Sequence, residues 1–197
     1  MTGHDDRRGA VRQGALALIE ILDEVGDDIC SAEKEIVSVM ADLLAIPGLD
    51  EVPASPSATA SPSDRTSTGW LYYDCDLRIV RGRMPAGFIQ SPHNHGSWNI
   101  FGIYRGAAHY RSYRRLDDRS QRFVADLEVA EDRVMTDGDI TLLPAPPDDI
   151  HTVAALAPVT TSLLVARSHF SAIREQYLPD RHTYYEVGAE QAASVQK

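Results

Sequence analysis

Three histidines in this chain have the spacing of a metal site. His93 and His95 stand two apart in the run Gly87-Phe-Ile-Gln-Ser-Pro-His93-Asn-His95. Residues two apart on a strand point to one face, so both imidazoles converge while Asn94 turns away. Imidazole ligates iron, zinc, copper and nickel. Two such ligands hold an ion poorly, and His151 is the best third. It follows the run from Gly138 through Pro144 to Asp149, a strand and turn that return the chain to a facing strand. His4 and His182 read as surface residues, and His109 and His169 are weaker candidates.

These two runs resemble the motifs of the cupin superfamily. The first cupin motif is a glycine, five residues, HxH, three or four residues, a glutamate, six residues and a glycine. Here it is met by Gly87, five residues and His93-Asn94-His95, with Gly102 or Gly106 beyond. The second motif is a glycine, five residues, a proline and then a histidine. It is met by Gly138, five residues and Pro144, with His151 after a longer gap than usual. The resemblance implies a mainly β double-stranded β-helix, the jelly-roll barrel, behind two N-terminal helices. The cupin glutamate is missing, since Asn99 and Ile100 fill its two possible slots. In this the chain is similar to the cysteine dioxygenase group, and SPHNHGSWNIFGIYRG is similar to its bacterial thiol dioxygenase-like members. That likeness implies Fe(2+) on His93, His95 and His151, with open positions for a substrate thiolate and O2. Zn, Ni or Mn would suit the same donors. The resemblance spans roughly residues 10–170, with its specific motifs confined to 87–106 and 138–151.

The likeness breaks on the strand after the third ligand. The group carries Ser-x-His-x-Tyr there; this chain keeps Ser162 but has Leu164 and Ala166 in place of the other two. Ile100 fills the slot of the cysteine that crosslinks to that tyrosine. The metal site therefore carries over better than cysteine as substrate. Tyr104 and Tyr110 after the first motif, or Tyr72 and Tyr73 before it, offer a substitute hydroxyl, with Tyr104 favoured. A carboxylate-bearing substrate needs a guanidinium for bidentate pairing. Arg81 and Arg83 share a strand face and Arg83 is the choice, although the family pattern points nearer Arg65. The candidate substrate-handling residues are thus Tyr104, Arg83 and Ser162.

The elements that must position these groups follow from periodicity. Val11, Ala15, Leu18, Ile19 and Leu22 recur at helical spacing in a first helix over 10–25, behind a polar start expected to fray. A second helix runs from Ser31 to Pro47-Gly48 on an apolar stripe of Ile36, Val37, Met40, Leu43 and Leu44. Residues 50–68 are rich in Pro, Ser, Ala and Thr and read as a loop. Short alternating runs follow at 70–73, 77–81, 88–90, 98–104, 107–114, 123–130, 140–143, 152–156 and 160–166, a pattern of sandwiches and barrels. The tail from Ser168 suggests a short helix before Pro179. The expected organisation is a helical decoration at 1–49, the loop at 50–68, the barrel at 69–180 and a tail at 181–197.

Composition narrows the function. The 197 residues carry a net charge of −10, which argues against nucleic acid or an anionic membrane as partner. Arg111, Arg114 and Arg115 read as solvated strand edges. Cys30 and Cys75 form no disulfide framework, and neither a leader nor a membrane span is visible, so a cytoplasmic protein is expected. The partners expected are a small-molecule substrate and O2, with a homodimer possible. An oxygenase is the first reading. A non-oxygenase metal enzyme (isomerase, lyase or hydrolase) and a non-catalytic binding cupin are the alternatives.

Overall fold

Val11, Ala15, Leu18 and Leu22 are buried at three- and four-residue intervals, which gives a helix one apolar face. The structure is a computed structural model that describes residues 3–53, 55–56, 67–167 and 173–188. Helix α1 (Gly3–Val25) already includes the polar start that was expected to fray. Gly26, at φ 62°, follows it in the left-handed conformation that ends many helices. Helix α2 (Glu33–Leu44) buries Ile36, Met40, Leu43 and Leu44 and places Glu33 and Glu35 at its positive end.

Twelve strands are described: β1 (Ser55–Pro56), β2 (Ser67–Tyr73), β3 (Leu77–Pro85), β4 (Ile89–His93), β5 (Asn99–Arg105), β6 (Ala107–Arg115), β7 (Leu127–Thr136), β8 (Ile140–Leu143), β9 (Ile150–Ala155), β10 (Val159–Arg167), β11 (Ile173–Leu178) and β12 (Thr183–Gly188). They form two six-stranded sheets, ordered β1-β2-β3-β10-β5-β8 and β12-β11-β4-β9-β6-β7. Strands β3 to β10 interleave between the sheets as a jelly roll, so the chain is mainly β with two N-terminal helices.

Three expectations change. The strand placed at 123–130 begins only at Leu127 and runs to Thr136, because Phe123 at φ 67° cannot extend it. The helix expected before Pro179 is strand β11, whose edges pair with β4 and β12. The chain beyond 181, expected as a tail, supplies β12 to the second sheet. Of the expected 50–68 loop, residues 54 and 57–66 lie outside the described residues, as do 168–172 and 189–197.

The first sheet is buried on both faces. Leu77, Ile79, Ile100, Leu163 and Val165 pack outward with the residues of α1 and α2. Met84, Phe101, Ile103 and Leu164 point inward, with Tyr110, Met135, Leu143 and Val153. Gly102 lets α2 lie against β5, since a Cβ there would stand 2.9 Å from Leu44 Cδ1. Each fully buried Leu or Ile contributes roughly 1.5–3 kcal/mol, so two apolar layers hold the barrel and its helical cover together. Among the described residues, no helix is long and apolar enough to cross a membrane.

Candidate metal centre

His93 closes β4 and His151 stands second in β9, and the two are cross-strand partners. Paired residues share a sheet face, so both imidazoles point into the barrel. His95 lies two residues beyond the end of β4, so strand alternation alone does not aim it as expected. Its Nε2 nevertheless stands 3.1 Å from His151 Nε2. Two nitrogens each about 2.1 Å from one ion and at right angles would be about 3 Å apart. One ligand nitrogen from each of the three lies within 4.8 Å of the others.

The donors are in the form a metal takes. His93 Nδ1 lies 2.9 Å from the Ser91 carbonyl and donates to it, which leaves Nε2 as a bare lone pair. That Nε2 is buried and has no hydrogen-bond partner among the described residues. Burial, with the charge of Arg174, lowers the His93 pKa to about 4. Burial and the neighbouring imidazoles hold His95 well below its usual value, and burial likewise holds His151 down. Three neutral, inward, closely spaced imidazole nitrogens fit a divalent transition metal.

Two carboxylates position the loop that carries His95. Asp149 is fully buried, and its Oδ2 accepts the backbone N–H groups of His95 at 3.0 Å and Gly96 at 2.7 Å. Gly96 has φ 72°, a turn that glycine makes without strain. Burial raises the Asp149 carboxyl while these two N–H groups oppose the shift. Asn94 faces away and pairs with Glu175: its Nδ2 donates to Oε2 at 3.2 Å, and its Oδ1 accepts the Glu175 N–H at 2.9 Å. Glu175 also accepts from Tyr177 and, at 3.5 Å, from the buried Arg115. This links β11 to the loop that carries His95.

No protein-family model matches the chain, and no curated protein matches it. Solved structures resemble its fold. A cupin superfamily protein from Desulfitobacterium hafniense is 14% identical over 56% of this chain and 84% of its own, with a TM-score of 0.40. KdgF from Halomonas sp. is 17% identical over 61% and 91%, with a TM-score of 0.42. The DMSP lyase DddQ from Ruegeria pomeroyi is 17% identical over 64% and 58%, with a TM-score of 0.44. These are likenesses of fold.

The structure brings His93, His95 and His151 together with Tyr110 beside them, but not Tyr104, Arg83 or Ser162. Arg83 is exposed and shares the outward parity of Ile79 and Arg81, so it does not reach the barrel interior. Tyr104 packs on the helical side, where its hydroxyl accepts from the Leu49 N–H at 3.1 Å and donates to the Ile46 carbonyl. It fastens the chain after α2. Ser162 is buried with inward parity but pairs with Ile103, one step beyond the Phe101 layer that abuts His151. Tyr110 is buried and meets the His151 ring edge-on at 5.7 Å. Tyr73 stacks on Trp70 and Tyr72 bonds to Asp74. His109 and His182 are on the surface with Asp132 and Asp126. Arg65 and His169 lie outside the described residues.

Two other arginines approach the imidazoles. Arg174 shares the face of Gln176, the partner of His93, and its charge lowers all three histidine pKa values. Arg78 has inward parity on β3 and acts on His95. Burial and Arg174 lower the Arg78 pKa to about 9, so it remains a cation at neutral pH. Arg78 takes the parity opposite to Leu77 and Ile79, which pack outward against the helices. Nothing in the local sequence marked Arg174.

Proposed function

We propose that this chain is a non-haem iron dioxygenase that oxidises a small thiol, related in its metal site to the cysteine dioxygenase group. The observation that carries the reading is the convergence of three neutral imidazoles, with the buried His93 Nε2 bare. Ferrous iron, when bound, supplies open positions for a substrate donor and O2 together with the redox chemistry. His93, His95 and His151 hold the ion, and Asp149 and Glu175 hold the loop between the first two. Arg78 and Arg174 orient the anionic end of the substrate. Phe101 and Tyr110 wall the site against water. The reaction RSH + O2 → RSO2H places both oxygen atoms on sulfur and needs no external reductant. Anaerobic purification with ferrous iron, followed by O2-uptake assays over a panel of small thiols, tests this. The expected result is stoichiometric uptake with a sulfinate product; no uptake by iron-replete protein with any thiol sinks it.

One observation favours a second reading. Leu164 and Ala166 face the barrel interior where the thiol dioxygenase pattern has His and Tyr. A zinc, nickel or manganese enzyme using Lewis-acid chemistry for isomerisation, elimination or hydrolysis has no need of that pair. Metal analysis of natively purified protein separates the two.

A further inference from the structure

We propose that Asn99 determines specificity by hydrogen-bonding a neutral donor–acceptor group, a hydroxyl or carboxamide, on the substrate. This deepens the reading above and rests on it. Asn99 opens β5 and is fully buried. Its cross-strand partners are Leu143 and Ala166. Leu143 belongs to the interior cluster, so the Asn99 side chain points into the barrel. Neither its Oδ1 nor its Nδ2 has a hydrogen-bond partner among the described residues. A buried amide with both ends unpaired lowers stability. A partner that arrives from outside the chain accounts for it.

The inner-face neighbour of Asn99 on β10 is small. Ala166 pairs with Asn99 on one side and with Arg78 on the other, so the three lie in one row on the inner face. Adjacent strands are about 4.8 Å apart, and the Ala166 methyl is the low point between an amide and a guanidinium stem. The next inward residue along β5, Phe101, meets the His151 ring edge-on, so Asn99 stands one inward position from a residue that touches an imidazole. The amide chemistry selects the group. A carboxylate only accepts and would set its charge against Oδ1; an ammonium only donates and would leave Nδ2 unpaired. A hydroxyl or carboxamide serves both atoms.

The test compares two acids that differ by one hydroxyl, 3-mercaptopropanoate and 2-hydroxy-3-mercaptopropanoate. Each is titrated calorimetrically and anaerobically into iron-loaded protein. Wild type is expected to bind the hydroxy acid about tenfold more tightly. Asn99→Leu removes that preference, retains its iron and, relieved of an unpaired amide, melts no lower than wild type without metal. Ala166→Val, which crowds the same row from the next strand, also lowers the ratio. Equal affinities in wild type, binding of neither acid, or an unchanged ratio in both variants overturns the role of Asn99. Failure of wild type to take up iron counts instead against the metal reading.

Discussion

The carboxylate of Asp149 accepts the backbone N–H of His95 at 3.0 Å, so the loop bearing one imidazole is tied to the strand bearing another. What the bond requires is an acceptor at Oδ2, not a charge. Asp149→Asn can present its carbonyl oxygen there and should keep metal affinity within a few-fold. Asp149→Ala leaves two N–H groups unpaired and frees the loop; affinity should fall about 10–100-fold, the usual effect of losing a group that orients a ligand. Competition against a chromogenic chelator measures both. Equal affinities for Ala and wild type would remove Asp149 from the site.

Metal-free stability should depend on acid in a defined direction. His93 titrates at about 4 in the folded chain and at about 6.5 when unfolded. Between these values the unfolded chain binds more protons, so stability falls as pH drops through the window. For His93 alone the loss amounts to about 3 kcal/mol, and His95 and His151 shift in the same sense. Urea denaturation of metal-free protein at pH 7 and pH 4.5 reads it. A flat response would mean that the imidazoles are solvated.

The exchange of Arg83 for Arg78 and Arg174 is testable with small carboxylates. Arg78→Ala and Arg174→Ala should each weaken carboxylate binding to the metal-loaded protein by about 10–100-fold, the range of hydrogen bonds to charged groups. Metal content should not change. Arg83→Ala, an exposed position of outward parity, should leave binding as it is. Weakening by Arg83→Ala instead would restore the reading made from strand parity alone.

Glu175 joins Asn94, Tyr177 and Arg115. Arg115 keeps Asp117 at 2.9 Å and the Val124 carbonyl at 2.8 Å when Glu175 is removed, so the loss falls mainly on the links to Asn94 and Tyr177. Glu175→Ala should cost about 1–2 kcal/mol by urea denaturation, the scale of the hydrogen bonds lost. Glu175→Gln, which keeps an acceptor for Asn94, should cost less. Equal losses in the two would show that the charge on Arg115, rather than the link to Asn94, carries the effect.

The readable parts of the sequence were those where one periodicity dominates. Gly87 to His95 and Gly138 to His151 stood out because turn residues bracket short strands at both sites. Tyr104 and Arg83 were misplaced for a physical reason. The first sheet is apolar on both faces, one toward the helices and one toward the interior, so alternation along β3 and β5 does not say which face is which. Asn99 to Ile103 are buried without exception. Arg174 was out of reach because Ile-Arg-Glu-Gln-Tyr-Leu spaces its apolar residues like a helix. Its strand identity comes from pairing with β4 and β12, which are distant in sequence.

The pairing of Asn94 with Glu175 spans 81 positions, and this sets an order of assembly. Ribosomes add about 5–20 residues per second, so His93, His95 and His151 are all made before the hairpin of β11 and β12. A nascent chain that has reached β10 holds His93, His95 and His151 but neither Arg174 nor Glu175. An ion that arrives then meets ligands without the clasp that fixes their loop, whereas one that arrives later meets a finished pocket. For a metal held as proposed, its identity would then depend on when, as well as where, the ion is encountered.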